Sequence, residues 1–170
     1  KRSRHDDNPA SKVEFDKYVP AQEYYGYKSL VLDNLVTDPS MLRERLAFLV
    51  FEAMGIPAPR NAFARLSVNG EYWGLYNIRE KVNEDYLASH HGVDPEQVDI
   101  LVWNGLAMAG SNDAYMDLVD YVATHDMQIQ EYYDFATSQI DIDNLIDYLI
   151  IESYFGNTDS GNIKYWRAQN

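Results

Sequence analysis

The chain has 170 residues, of which 46% are apolar, and a formal net charge of −13. The apolar content predicts a globular protein with a hydrophobic core rather than a disordered chain. The negative charge argues against nucleic-acid binding and against docking on anionic lipid, since both need surfaces rich in Lys and Arg. The sequence has no cysteine, which excludes disulfides and thiol catalysis, and it has no apolar run long enough to predict membrane insertion.

The first half of the chain reads as strands with one clear helix. Residues 1–10 are polar and are expected to form a disordered tail or linker. Strands are predicted over residues 11–18, 24–34, 63–68 and 71–78. The Asn69-Gly70 pair joins the last two strands and favours a type I′ hairpin turn. A helix is predicted from Asp38, a good N-cap residue followed by Pro39, to Met54.

The second half is mostly helical. Helices are predicted over residues 84–91, 113–125, 129–136 and 141–154, with one strand over 99–103 and a small-residue loop over 104–110. The acidic residues that begin at Asp141 read as a helix N-terminus rather than a calcium loop, because the glycine and distal glutamate of such a loop are missing. The adjacent His90 and His91 face different directions on a helix, which argues against a shared metal ion. Strands first and helices later predict the α+β class.

A polar loop follows the last predicted helix and holds Asp159 between Asn157 and Asn162. Such a loop can place a carboxylate beside a substrate hydroxyl and leave an amide oxygen free for a metal ion. Protein kinases use this arrangement in their catalytic loop. The alternative is a solvated turn, since Asn, Asp, Ser and Gly are ordinary turn residues.

Seven segments of the chain, taken in order, resemble one family of proteins. They are residues 28–34, 38–44, 55–60, 68–82, 140–148, 156–159 and 162–167, which begin with KSLVLDN and end with NIKYWR. Together they resemble the CotH family, spore coat protein H and its relatives, which are atypical protein-kinase-like enzymes. The segments are spread over most of the length of the chain after residue 25, from residue 28 to residue 167.

The resemblance implies a sheet-rich small lobe over residues 11–104 and the start of a helical large lobe over residues 105–170. ATP and a divalent ion, Mg²⁺ or Mn²⁺, would bind between the lobes. Asp159 would orient the acceptor hydroxyl as the catalytic residue, and Asn162 would bind the metal. The acceptor would be a Ser or Thr of a secreted or coat protein, which implies a bacterial protein outside the cell, on its surface or in the spore coat.

A kinase-like site also needs a cation over the phosphates, usually a strand Lys held by a helix Glu. Lys28 is the candidate, with Lys12 on the preceding strand as its rival. Glu44 and Glu52 of the first helix are the candidate partners.

Glu80, at the end of the hairpin, is at the position where a hinge would contact nucleotide. The alternative for Glu80 is a surface pair with Arg79 or Lys81.

Two features of the chain depart from the family pattern. The chain ends at Asn170, before a second acidic metal-binding motif, and is therefore expected to be truncated or catalytically incomplete. Asn162 follows Asp159 by three residues, where kinases usually leave about five. The alternative function is therefore a non-catalytic surface or coat protein that keeps the fold and binds partners through its 14 tyrosines.

Overall fold

A computed structural model describes residues 9–158 and 163–169. The chain is α+β, as predicted, and forms two compact units, one up to Tyr86 and one from Leu87. In chain order, the elements are β1 (Ser11–Glu14), β2 (Ser29–Asp33), α1 (Arg43–Ala53), β3 (Asn61–Val68), β4 (Glu71–Glu80), α2 (Glu84–His91), β5 (Val98–Val102), β6 (Leu106–Ala109), α3 (Asp113–Thr124), α4 (Gln130–Ser138), α5 (Ile142–Phe155) and β7 (Lys164–Ala168). The division into kinase lobes stays a prediction.

The first unit is built on a four-stranded antiparallel sheet in the order β1-β2-β4-β3. The predicted hairpin is confirmed: β3 and β4 meet at Asn69 and Gly70, whose φ angles of 52° and 87° suit a type I′ turn. Strand β4 has a neighbour on each side, and it carries three of the most buried side chains of the unit. These are Tyr76, Asn77 and Glu80.

Helix α1 begins at Arg43, later than predicted, because Asp38 organises a turn before the helix. One carboxylate oxygen of Asp38 accepts a hydrogen bond from the backbone N–H of Ser40 at 3.1 Å, and the other accepts from that of Arg43 at 2.7 Å. Met41, between them, has a φ of 58°, which no helical residue adopts. The prediction that Asp38 is the N-cap residue is therefore wrong, since Leu42 occupies that position, but the Asp38 carboxylate still accepts a hydrogen bond from the first residue of the helix.

Strands β1 and β2 are shorter than the two strands predicted for this region. Strand β1 ends at Glu14 and β2 begins at Ser29. The residues between them contain a short bridge from Tyr24 to Tyr27, and several of their aromatic side chains are exposed. The alternating sequence pattern therefore continues beyond the two strands into an irregular connection, and the predicted strands were too long.

The second unit contains a three-stranded antiparallel sheet in the order β6-β5-β7. The central strand β5 carries the buried residues Val98, Ile100 and Leu101. Strand β6 lies where the sequence predicted a loop. Its small residues gave no strand signal, and the segment becomes a strand because it pairs with β5.

Helices α3, α4 and α5 were predicted to within a few residues. Asp141 begins α5 as expected of a helix N-terminus, since its carboxylate accepts a hydrogen bond from the backbone N–H of Asn144 at 3.0 Å. The helix ends at Gly156, which has the left-handed conformation typical of a C-terminal cap. No helix in the described ranges is long and apolar enough to cross a lipid bilayer.

Candidate functional site

The predicted catalytic residue Asp159 and the predicted metal ligand Asn162 lie outside the described residues. The structure does describe the segments on either side of them. On one side, α5 ends in a cap where the N–H of Gly156 donates to Ser153 and the N–H of Asn157 donates to Glu152, at 3.1 and 3.0 Å. On the other side, β7 begins at Lys164.

The strand after the loop is held by a buried carboxylate on β5. Asp99 accepts hydrogen bonds from the Arg167 side chain at 2.8 Å, the Gln169 side chain at 2.7 Å and the Ser111 backbone N–H at 2.7 Å. Burial by itself would raise the pKa of Asp99, but these three hydrogen bonds outweigh it and hold the pKa below its usual value. The Asp99 carboxylate is therefore charged and saturated, which suits an anchor rather than a catalyst.

Glycine is required beside this anchor. Gly110 has a φ of 65°, and a Cβ atom there would lie 2.5 Å from the backbone oxygen of Val98 and would also collide with the Asp99 carboxylate. The backbone before α3 can approach β5 this closely only without a side chain. Asp99 therefore joins three segments of the second unit: the turn before α3, strand β5 and strand β7.

Lys28, the predicted phosphate-binding cation, lies one residue before β2. Its ammonium group is 2.6 Å from a carboxylate oxygen of Asp85, in the first turn of α2, and its side chain is 46% exposed. The hydrogen bond to Asp85 and the charge of that carboxylate raise the pKa of Lys28. The partner of Lys28 is therefore Asp85, rather than Glu44 or Glu52 of α1.

The rival cation, Lys12, contacts Glu14 of its own strand at 3.5 Å. Both of these side chains are well exposed. Exposed pairs of this kind contribute little to stability, and the contact gives Lys12 no link to α1.

Glu80, the predicted nucleotide contact, ends β4 and is 4% exposed. Its carboxylate accepts from the backbone N–H of Arg60 at 2.7 Å and lies 3.5 Å from the guanidinium of Arg60. The backbone N–H of Glu80 also donates to the carbonyl of Arg60, at 3.0 Å. These contacts are with Arg60, whereas the sequence suggested Arg79 or Lys81.

A buried tyrosine lies within the electrostatic reach of Glu80. Burial raises the pKa of Tyr86 to about 12; the negative charge of Glu80 adds to the effect, and the positive charge of Arg60 opposes it. The phenol of Tyr86 is therefore neutral at any physiological pH.

Lys28 and Glu80 come to the same end of the first sheet. Strands β2 and β4 are antiparallel, and Leu30 lies opposite Glu80. The beginning of β2 and the end of β4 therefore lie side by side at this end of the sheet. This proximity follows from strand pairing and was not visible in either segment alone.

A cluster of four polar residues was missed by the sequence analysis. We call it the Arg79 cluster; it contains Asp33, Glu44, Asn77 and Arg79. Glu44, in the first turn of α1, accepts a hydrogen bond from the Asn77 side chain at 2.6 Å and lies 3.4 Å from Nε of Arg79. Nη2 of Arg79 lies 3.7 Å from Asp33. The sequence signal that could have revealed the cluster is the spacing of Asn77 and Arg79. Residues two apart on a strand place their side chains on the same face of the sheet.

No group of three or more His, Asp or Glu side chains is placed to hold a metal ion within residues 9–158 and 163–169. His91, one of the two adjacent histidines, packs instead against Trp166, with 4.6 Å between ring centroids.

Similar proteins agree with the resemblance seen in the sequence. The family model described as CotH kinase protein matches residues 10–170. The inner spore coat protein H-like protein of Bacillus subtilis (strain 168) is 40% identical over 55 residues, which are 32% of this chain and 18% of that protein. Inner spore coat protein H of the same strain is 32% identical over 77 residues, which are 45% of this chain and 21% of that protein.

The matched segments therefore span about a fifth of the length of these two curated relatives. The family model, by contrast, matches nearly every residue of the chain, including the loop with Asp159 and the strand that follows it. The chain belongs to the CotH kinase protein family.

Proposed function

We propose that this chain forms the core of a CotH-type protein kinase that transfers the γ-phosphate of ATP to Ser or Thr residues of secreted or coat proteins. The observation that carries the proposal is a family match that includes the Asp159 loop. The order of the segments on either side of Asp159 supports it. Helix α5 is capped immediately before the loop, and β7 is fixed to β5 immediately after it. Fixed segments on both sides of Asp159 favour the precise placement of a carboxylate that catalysis requires.

In the proposed reaction, Asp159 accepts a hydrogen bond from the acceptor hydroxyl and takes up its proton as the oxygen attacks the γ-phosphorus. The new bond joins that oxygen to phosphorus, and the bond from the γ-phosphorus to the β,γ-bridging oxygen breaks. The products are the phosphorylated Ser or Thr and ADP, and the proton passes from Asp159 to solvent.

A divalent ion, Mg²⁺ or Mn²⁺, neutralises phosphate charge in such reactions. The residues present fit it in part. Asn162 offers an amide oxygen, a ligand type that suits Mg²⁺, and the half-exposed Lys28 brings a positive charge to the sheet end where Glu80 also lies. We expect the nucleotide to be held by the first unit, as a small lobe, and the acceptor to be oriented by the second, as a large lobe.

The proposed location is the spore coat or the outside of a bacterial cell. It rests on the names of the two relatives from Bacillus subtilis, inner spore coat protein H and an inner spore coat protein H-like protein. The acceptor would then be another coat or secreted protein.

The test is phosphate transfer from labelled ATP by the full-length gene product with Mg²⁺ or Mn²⁺. We expect Asp159→Ala to lose at least about 100-fold in rate, the lower limit for general base catalysis. The matched control is Asp94→Ala, since Asp94 is an exposed aspartate that caps a turn in the same unit. Undiminished transfer by Asp159→Ala would remove the role assigned to that residue.

A second candidate function is a non-catalytic coat protein that binds partners through exposed tyrosines. The observation in its favour is the connection between β1 and β2, where Tyr18 and Tyr25 are almost fully exposed and Tyr24 is half exposed. Tyrosine is enriched in protein interfaces. Absence of transfer by the wild-type protein, together with absence of ATP binding, would favour this function over the kinase.

A further inference from the structure

The Arg79 cluster contains a strand cation that is held by a glutamate of the neighbouring helix. Arg79 lies on the inner strand β4, opposite Val31 of β2 and Asn61 of β3. An inner strand rarely carries a charged residue unless the charge has partners or a function. Here the helix partner is Glu44, in the first turn of α1, and its Oε1 lies 3.4 Å from Nε of Arg79.

The guanidinium of Arg79 is incompletely satisfied by its neighbours. Its two ion-pair distances, 3.4 Å to Glu44 and 3.7 Å to Asp33, exceed the roughly 2.7–2.9 Å of a charge-assisted hydrogen bond. Its Nε atom is buried and has no hydrogen-bond acceptor among the residues that the structure describes. The side chain as a whole remains 28% exposed, so a solute can reach its outer N–H groups.

A second polar atom in the same cluster is also unmatched. Asn77 is 1% exposed and donates to Glu44 through its amide nitrogen, but its amide oxygen meets no donor in the described part of the chain. Asn77 and Arg79 are two residues apart on β4 and share one face of the sheet. Buried polar atoms are nearly always hydrogen-bonded, so two unmatched atoms on one face call for a partner that the described residues do not supply, such as water or a ligand.

Lys28 differs from Arg79 on each of these points. Its ammonium makes a close contact of 2.6 Å with Asp85, and its partner belongs to α2 rather than α1. A guanidinium also offers five N–H donors in a planar fork that matches phosphate oxygens, whereas an ammonium is a point charge.

We propose that Arg79, oriented by Glu44, is the residue that binds the phosphates of the nucleotide. The inference rests on the proposed kinase function and assigns to Arg79 the role that the sequence suggested for Lys28. The cluster has one cation and two carboxylates, so its net charge is −1. It should therefore accept the metal-bound form of ATP, which carries less negative charge, and discriminate against ATP without a divalent ion.

The experiment is equilibrium binding of ATP and of adenosine to the full-length gene product, with Mg²⁺ present. We expect Arg79→Met to weaken ATP binding about 10- to 100-fold, as for loss of one or two charge-assisted hydrogen bonds, and to leave adenosine binding unchanged. Arg65→Met, which removes an exposed arginine of β3 in the same sheet, is the matched control and should change ATP affinity less than threefold. Lys28→Met tests the alternative cation directly. Removal of Mg²⁺ should weaken ATP binding to the wild type and leave adenosine binding as it was.

The comparison between ATP and adenosine separates phosphate binding from a purely structural role. If Arg79→Met weakens both ligands equally, or if Lys28→Met alone weakens ATP, the assignment of Arg79 is wrong. If Arg79→Met does not fold, Arg79→Lys decides the question, since it keeps the charge and loses the fork. It should weaken ATP several-fold relative to adenosine, and an unchanged ratio would overturn the proposal. A wild-type protein that binds neither ligand would instead refute the kinase function itself, before any variant is compared.

Discussion

Replacing Asp99 by alanine tests whether this carboxylate anchors the strand behind the candidate catalytic loop. The substitution removes three accepted hydrogen bonds, from Ser111, Arg167 and Gln169. Hydrogen bonds to a charged group contribute about 1.5–3 kcal/mol each. The Arg167 side chain is half exposed and regains water when its partner is removed, so the contributions do not add in full. We expect the free energy of unfolding of the second unit to fall by about 2–4 kcal/mol, a large part of the roughly 5–15 kcal/mol of a typical domain.

The loss can be measured by urea unfolding followed by tryptophan fluorescence. Two of the three tryptophans, Trp103 and Trp166, lie in the second unit. A Trp73→Phe background therefore makes the fluorescence signal specific to that unit. Trp166 lies opposite Ile100, next to Asp99 on β5, and it reports directly on the pairing of β5 with β7.

The pH dependence gives an independent measure of the same anchor. The folded pKa of Asp99 is lowered, so its contribution to stability is fully present above the unfolded value of about 4 and is lost as the pH falls through the folded value. Asp99→Asn keeps the shape and removes the titration, so the loss of stability on the acid side should become shallower.

Asp94→Ala is the control for both measurements and should stay within about 0.5 kcal/mol of the wild type, since Asp94 is exposed. The reasoning would be refuted if Asp99→Ala were as stable as this control. It would also be refuted if the acid side of the stability profile were unchanged in Asp99→Asn.

Two further predictions concern backbone conformation and a buried phenol. Gly110→Ala should lower the free energy of unfolding by about 2–5 kcal/mol, because a positive φ and a collision with Val98 act together. Gly70→Ala, which has a positive φ but open space around it, should lower it by only about 1–2 kcal/mol. Equal losses in urea unfolding would contradict the predicted collision. Tyr86→Phe should remove one tyrosinate from the ultraviolet titration above about pH 11. The folded pKa of about 12 lies above the ordinary value of 10, so Tyr86 makes the protein lose stability as the pH rises from about 10 to about 12. This loss of stability should be smaller in Tyr86→Phe. An unchanged titration in that range would show that another environment surrounds Tyr86.

The elements predicted correctly are those whose signals are local. The Asn69-Gly70 turn joins β3 and β4 because both residues tolerate a positive φ. Asp141 begins α5 because its own side chain reaches the backbone three residues later. Each of these outcomes depends on a few consecutive residues, so the sequence pattern was sufficient.

The features that were missed depend on residues far apart in the chain. Strand β6 exists because Leu106 and its neighbours pair with β5. The partner of Lys28 is Asp85, 57 residues away, and Glu44 reaches Asn77 across 33 residues. Candidate side chains could be chosen from residue type and position, but their pairing is a consequence of tertiary structure.

The pairing of β5 with β7 has a consequence for the order of folding. Asp99 and Arg167 are 68 residues apart, whereas β3 and β4 are joined by a two-residue turn. Closing a long loop costs more chain entropy than closing a short hairpin, so non-local pairings form late. During synthesis, the first sheet has all its strands once residue 80 has emerged, whereas β5 can pair with β6 early but lacks β7 until residue 168. The segment that follows Asp159 is therefore fixed only when the newly made chain has reached β7, and pulse-labelled amide exchange should find the β5 amides that pair with β7 protected later than those of β4.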